Sequence, residues 1–326
     1  MTAPATDPRD DVTALVEGVK RGERASLARL LSLVERRDPT VGPAVASLAT
    51  DTGGAYTIGI TGAPGSGKSS LTDRLVAVLR ARGDEVAVLA IDPSSPRTGG
   101  AILGDRVRMG AHATDPGVFI RSMATRGQLC GLAAAAPQAV RVLDASGAPW
   151  IVVETVGVGQ VELDVAGATD TTVVVVTPGW GDGVQANKAG LLEVADVFVV
   201  NKADRPGADL AVRDLAAMLD LSPGGAWTPP IVETVATTGE GVEHLWEAVT
   251  AHREHLTGSG ELALRRRARL RDEVRRMVRA RLVHAADAYL AGADFESLVD
   301  EADGVVDPYA LAGRVVVEEF GIVDEP

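Results

Sequence analysis

AYTIGITGAPGSGKSS, residues 55–70, is the stretch on which the fold turns. An apolar run ends at Gly62, a glycine-rich turn follows, and a helical pattern begins at Lys68. The spacing Gly62-x-x-x-x-Gly67-Lys68-Ser69 is that of a phosphate loop, set between a strand and a helix as such loops require. Its glycines let backbone N–H groups turn inward around phosphate oxygens, and the helix N-terminus adds partial positive charge. The expected phosphate cradle is Gly62, Ala63, Pro64, Gly65, Ser66, Gly67, Lys68, Ser69 and Ser70. In it, Lys68 neutralises β- and γ-phosphates and the Ser69 hydroxyl ligates Mg²⁺.

Outward from this loop, apolar strand-like runs alternate with helical patterns to about residue 256. The runs are AYTIGITG, EVAVLAID, VFIRSM, PWIVVET, TTVVVVTP, DVFVVNKAD and PPIVETVA, each with a continuous apolar stretch rather than alternation. Strands of this kind are covered on both faces, and strand alternating with helix predicts a mainly parallel α/β sheet in three layers. Residues 1–52 read as a helical extension, 53–256 as the nucleotide-binding domain and 257–326 as a helical arm. On the arm, Leu270, Val274, Met277, Val278 and Leu282 fall at helical spacing and form an apolar stripe among arginines.

The 326 residues carry 46% hydrophobic side chains but only 3% aromatic ones, so the core is built from Val, Leu and Ala. A net charge of −13 argues against a general nucleic-acid partner, because phosphate backbones attract basic surfaces. The apolar runs are far short of a membrane span, and the N-terminus has no basic start followed by an apolar block. A lone Cys130 cannot form an internal disulfide, which fits a cytoplasmic setting. Basic residues are nearly all Arg, with lysine only at Lys20, Lys68, Lys188 and Lys202. Lysines so sparingly used point to sites that need a compact ammonium.

The base is read from VVNKAD, where Asn201, Lys202 and Asp204 follow a strand. Guanine presents N1–H and its exocyclic amine side by side, and the Asp204 carboxylate can accept both. Adenine offers no such pair, so a carboxylate facing it stays unpaired. The Lys202 stem covers the base plane. Phosphate loop and base sequence together predict a P-loop GTPase that binds GTP and GDP with Mg²⁺.

A third strand end, VVETVGVGQVELD at residues 152–164, brings Glu154 towards the metal shell. Asp92, ending another strand, and Asp105 are further carboxylates for Mg²⁺, which prefers hard oxygens. Lys68, Asp92 and Glu154 are thus the expected catalytic groups. Gly157 and Gly159 make a loop able to approach the γ-phosphate and rearrange when it leaves. Many GTPases place a water-positioning Gln directly after the first such Gly. Here Val158 stands there and Gln160 is displaced, so hydrolysis is expected to be slow until a partner or another residue completes the site.

With GAPGSGKSS, DPSSPRTGGAILGDRVRM, VETVGVGQ, GDGVQANKAGLLEVADVFVVNKAD and ATTGEGVEHLW in order, the chain resembles the MeaB family, the methylmalonyl-CoA mutase-associated GTPases. The likeness is firm over residues 55–255 and looser at the helical ends. It implies a GTPase that gates adenosylcobalamin delivery to a cobalamin-dependent acyl-CoA mutase and protects it, the cofactor resting on the partner. It also implies that Asp92, Asp105 and Glu154 fall on Mg²⁺ and switch sequences, and that Asp182, Gln185 and Lys188 form a further switch loop answering to the partner. The C-terminal helices look like a dimerisation arm, which predicts a symmetric homodimer. Two positions depart from the pattern: Cys130 stands where the family commonly has Gly, and Val235-Ala236 where it commonly has Ser-Ala. The resemblance implies that this last base-contacting loop, with Ala236 and Thr237, still offers the Ala236 N–H to guanine O6 but lacks the help of the Ser hydroxyl.

Two other functions compete. A small-molecule kinase also uses a phosphate loop, although the guanine-reading sequence opposes it. Relatives in this GTPase branch deliver nickel, which needs clustered His or Cys. His112, His244, His252, His255 and His284 make no clear cluster, and His252 and His255 are expected on a helix surface.

Overall fold

The computed structural model describes residues 11–38, 40–92, 110–112, 114–124, 132–155, 168–180, 193–221, 225–301 and 307–321. Two compact units divide between Arg271 and Asp272. The first contains a seven-stranded sheet in which every pairing is parallel: β1 (Tyr56–Gly62), β2 (Val86–Asp92), β3 (Val118–Ala124), β4 (Trp150–Thr155), β5 (Thr171–Val176), β6 (Val197–Asn201) and β7 (Ile231–Thr234). Their spatial order is β3-β2-β4-β1-β5-β6-β7. Every residue of β1, β4, β5 and β6 is buried, as expected of unbroken Val- and Ile-rich runs with helices on both faces.

This order reverses the direction of winding at β1, which lies between β4 and β5. In an open parallel sheet a crevice forms at such a reversal, beyond the carboxyl ends of the strands. Gly62, Glu154 and Asn201 sit at or next to those ends, which is how residues far apart in sequence come to share one edge.

The helices of the first unit are α1 (Val12–Lys20), α2 (Arg24–Arg36), α3 (Val41–Ser47), α4 (Lys68–Ala81), α5 (Leu132–Ala145), α6 (Ala208–Asp220) and α7 (Val242–Ser259). Asp11 caps α1 by accepting the Thr13 N–H at 3.0 Å. α1, α2, α3 and α5 bury Leu30, Leu31, Val34 and Ala139 against one face of β2 and β4. The N-terminal helices therefore share a core with the sheet. On the other face, α4 and α7 bury Leu71, Leu75, Leu79, Leu245 and Val249. The leucines of α4 recur every four residues, and each contributes roughly 2 kcal/mol on burial.

Helix α8 (Glu261–Leu290) is rooted in the first unit through its first turns. Arg266 Nη2 meets Asp170 Oδ2 at 2.7 Å and the Ala55 carbonyl at 2.7 Å, and Arg269 also pairs with Asp170. Asp170 is only 1% exposed; burial pushes its carboxyl up, but the two guanidiniums outweigh that and hold it below the usual range. Arg265 Nη1 reaches Asp196 Oδ1 at 2.8 Å. Both aspartates stand at the amino ends of strands, on the opposite edge from Gly62 and Asn201.

His252 overturns the surface position expected for it. It is 0% exposed, with Nδ1 2.8 Å from Thr171 Oγ1, Nε2 3.2 Å from Asp196 Oδ1 and the Trp227 ring at 4.8 Å. Burial pulls its pKa down to about 4, so the ring is neutral near pH 7. Spacings of three and four from Val249 and Leu256 put His252 on the buried face of α7, where the Thr171 hydroxyl and the Trp227 ring complete an interior berth.

The second unit, Asp272–Pro326, holds the rest of α8 with α9 (Ala293–Glu301) and α10 (Pro308–Glu318). These helices enclose an apolar groove of about 530 Å³ lined by Leu282, Leu290, Phe295, Leu311, Val315 and Phe320, among others. Val274, Met277, Val278 and Leu282 of α8 are 37–50% exposed. Among the described residues, no helix is long and apolar enough to cross a membrane.

Candidate nucleotide site

β1 ends in the loop that leads into α4, and two backbone demands explain its glycines. Gly62 has φ 138°, and a Cβ there would lie 2.1 Å from the Val175 carbonyl oxygen of β5. Gly67 caps α4 at φ 92°, a left-handed conformation open to glycine at little cost. Ser66, Lys68 and Ser69 are buried, whereas Ala63, Pro64 and Gly65 are exposed and Ser70 is half-buried. Lys68 Nζ donates to the carbonyls of Gly62 at 2.7 Å and Ala63 at 2.9 Å, so its ammonium lies against the loop.

Ser69 Oγ donates to Glu154 Oε1 at 2.5 Å. Glu154 is 3% exposed and paired in register with Ile60 of β1, which sets it beside the phosphate loop. A hydroxyl and a carboxylate at a helix N-terminus form a set of hard oxygens, the kind of donors that suit Mg²⁺. Asp92 ends β2, and its side chain is outside the described residues. Asp105, Gly157, Gly159, Gln160, Asp182, Gln185 and Lys188 also lie outside the described residues, as does Cys130.

Asn201, 1% exposed at the end of β6, ties the parts together. Its Nδ2 donates to the Ser66 carbonyl at 2.7 Å. Its Oδ1 accepts from Thr234 Oγ1 at 3.2 Å and from the Ala236 N–H at 3.1 Å. Each buried amide atom thus has a protein partner, which buried polar groups require. The Ala236 N–H, which the family resemblance assigns to guanine O6, is therefore already donated to Asn201.

Lys202 has φ 62° and donates from Nζ to the Gly65 carbonyl at 2.7 Å, laying its stem between the base loop and the phosphate loop. A left-handed conformation costs a non-glycine residue about 1–2 kcal/mol. Asp204 follows in the turn closed by the Arg205 N–H on the Lys202 carbonyl, and its side chain is exposed. Thr237 is likewise exposed, beside buried Ala236.

Two contributors escape sequence reading. Thr234 faces Asn201 in register on neighbouring strands, a relation that only the strand order creates. Arg74, on α4, donates to the carbonyls of Ala236 and Thr237 from 162 and 163 residues away. Among the described residues, no three His, Cys, Asp or Glu side chains gather where they could hold a metal ion.

The family profile described as methylmalonyl-CoA mutase-associated GTPase MeaB matches residues 27–290. A putative GTPase of Pyrococcus abyssi is 47% identical over 95% of this chain and 97% of its own length. The GTPase ArgK of Escherichia coli is 36% identical over 76% of this chain and 78% of its own length. The mouse protein named methylmalonic aciduria type A homolog, mitochondrial, is 32% identical over 78% of this chain and 66% of its own length. Among solved structures, one titled LAO/AO transport system kinase superposes with a TM-score of 0.71 at 25% identity, covering 98% of this chain and 100% of that one. With the phosphate loop, the Asn201 hub and the parallel sheet in place, these similarities agree: the chain belongs to the MeaB family of methylmalonyl-CoA mutase-associated GTPases and is a GTPase that binds GTP, GDP and Mg²⁺.

Proposed function

We propose that this GTPase is a nucleotide-driven switch that gates delivery of adenosylcobalamin to a cobalamin-dependent acyl-CoA mutase, methylmalonyl-CoA mutase being the first choice, and guards the loaded enzyme. The observation that carries the switch is the Asn201 side chain, bonded at once to the phosphate loop through Ser66 and to the base loop through Ala236. A change at the phosphates is thereby felt by the element that grips the base. The mutase itself is suggested by the family and by the name of the mouse relative.

On this reading Gly62 to Ser70 cradle the phosphates, and Lys68 leaves the carbonyls of Gly62 and Ala63 to place its charge on the β- and γ-oxygens. Ser69 and Glu154, with Asp92 and Asp105, hold Mg²⁺, whose charge offsets that developing on the phosphates. Asp204 accepts the paired N–H groups of guanine, while Lys202 covers the base. Gly157, Gly159 and Gln160 form one switch, and Asp182, Gln185 and Lys188 another that faces the partner. Hydrolysis is slow in the isolated chain and rises when the mutase completes the site.

We assign the arm to a symmetric homodimer, because Val274, Met277, Val278 and Leu282 expose a continuous apolar stripe. The setting is cytoplasmic, where a lone Cys130 stays reduced.

The experiment mixes the purified chain with an adenosylcobalamin-dependent acyl-CoA mutase in GDP or a non-hydrolysable GTP analogue. Complex formation is read by gel filtration and phosphate release by a coupled assay. The expected result is nucleotide-dependent capture of the mutase and faster release of phosphate to water. No complex in either nucleotide overturns the mutase reading, and transfer of the γ-phosphate to a metabolite supports the kinase instead.

A further inference from the structure

Arg74 lies six residues beyond Lys68 on α4, and its guanidinium meets two consecutive carbonyls of the base loop. Nε donates to Ala236 O at 3.2 Å and Nη2 to Thr237 O at 2.8 Å. A planar fork that bonds in two directions fixes both peptide planes, which a lysine ammonium does less well. Every described peptide bond is trans, and in a trans peptide the C=O and N–H of one plane point in opposite directions. Holding the Ala236 carbonyl towards α4 therefore turns the Thr237 N–H away from it.

The neighbouring donors of the loop are engaged. The Val235 N–H bonds the Glu240 carbonyl at 3.0 Å, and the Thr238 and Gly239 N–H groups bond the Val235 carbonyl at 3.0 and 2.9 Å. The Ala236 N–H bonds Asn201 Oδ1, and the Glu240 N–H bonds Thr238 Oγ1. Among the described residues the Thr237 N–H has no protein acceptor, and Thr237 is exposed. The base loop thus offers a rigidly held outward N–H next to the Asn201 hub.

We propose that Arg74 is a positioning residue for base selectivity: by holding the Ala236 and Thr237 carbonyls it aims the Thr237 N–H at the C6 oxygen of a bound guanine. This rests on reading the pocket as a guanine site in which Asp204 takes N1–H and the exocyclic amine. A fixed N–H at position 6 pairs with a carbonyl and meets the amine of adenine donor to donor. It rejects adenine at a point independent of Asp204. Arg74 touches no nucleotide in this scheme and acts only through the direction of the Ala236–Thr237 peptide plane.

The test measures binding of GDP, inosine diphosphate, 6-thio-GDP and ADP to the wild type, Arg74→Ala and Arg74→Lys by calorimetry. 6-Thio-GDP keeps N1–H and the amine but offers a poorer acceptor at C6, whereas inosine diphosphate keeps O6 and loses the amine. The wild type is expected to prefer GDP to 6-thio-GDP by about tenfold, one good hydrogen bond. Arg74→Ala should bring that ratio close to one while leaving the ratio of GDP to inosine diphosphate unchanged. Arg74→Lys, which keeps the stem and one donor, should give an intermediate ratio and remains informative if the alanine variant fails to fold. Equal losses for GDP and 6-thio-GDP, or an unchanged ratio in both variants, overturn the proposal. A wild type that binds ADP as tightly as GDP overturns instead the guanine reading on which it rests.

Discussion

A methyl group on Gly67 would lie 2.3 Å from the Nδ2 atom of Asn201. The cap of α4 and the end of β6 are therefore packed backbone against side chain, with space for hydrogen and nothing larger. Gly67→Ala has to displace Asn201 and also hold φ 92°, so it disturbs the phosphate and base contacts together. GDP affinity measured by calorimetry is expected to fall by at least about a hundredfold, the equivalent of roughly 3 kcal/mol. A loss under threefold would show that the two loops are not coupled through this contact.

Glu154→Gln keeps the acceptor for Ser69 Oγ and removes the charge. Mg²⁺-dependent hydrolysis is expected to drop about a hundredfold, a usual scale for removing an electrostatic contributor to phosphoryl transfer. GDP binding should change far less. Phosphate release and GDP affinity measured side by side decide it, since equal losses would deny Glu154 a role in the metal shell.

Asp204 is exposed in its turn, so Asp204→Asn should leave the melting temperature within a degree or two, as expected for an exposed site. The amide donates where guanine donates, and it suits the 2-oxo group of xanthine. Preference is expected to move from guanosine to xanthosine nucleotides by about a hundredfold in the affinity ratio. Competition binding with the two diphosphates reads this directly, and an untouched GDP affinity would remove Asp204 from the base pocket.

Acid sensitivity follows from His252, whose folded pKa is lowered by burial to about 4 from an ordinary 6.5. Between those values the unfolded chain binds a proton that the folded chain refuses, so stability falls as the pH drops through that window. A shift of this size corresponds to roughly 3 kcal/mol. Asp196, pushed up by burial, acts in the opposite sense over the part of the window below its raised pKa. Urea midpoints for the wild type and His252→Gln across this range should show the glutamine variant with the flatter profile. Parallel profiles would assign the acid sensitivity elsewhere.

The exposed stripe on α8 gives an assembly prediction. Val278→Glu places a charge among Val274, Met277 and Leu282. Light scattering should find a dimer in the wild type and a monomer in the variant, with GDP affinity unchanged. A variant that stays dimeric would move the interface off this helix.

Much of the sheet is legible in the sequence because buried parallel strands are continuously apolar, and the seven runs from AYTIGITG to PPIVETVA are the seven strands, although the edge strands β3 and β7 are covered less completely than expected. The phosphate loop is legible for a related reason. Its demand for left-handed glycine at Gly67 and for a polar Lys68-Ser69 opening to α4 is local, so residue type and spacing carry it. Glu154 beside Ser69 is half legible: the acidic strand end can be seen, but its partner depends on β4 lying next to β1. The burial of His252 is legible in its spacing from Leu245, Val249 and Leu256, and only its polar side chain suggests the surface; what the sequence does not show is which groups satisfy the ring. Here it meets Thr171, Asp196 and Trp227.

What the sequence determined by itself is what short-range chemistry dictates: apolar strands, a glycine turn before a lysine, and a carboxylate two residues after a lysine in VVNKAD. What only the tertiary structure decided is which of these meet. Asn201 bridging Ser66 and Ala236, Thr234 beside Asn201, and Arg74 holding the loop from more than 160 residues away all depend on strand order. Strand order is set by how helices and sheet share one buried surface, a sum over the whole chain that no single stretch of residues contains.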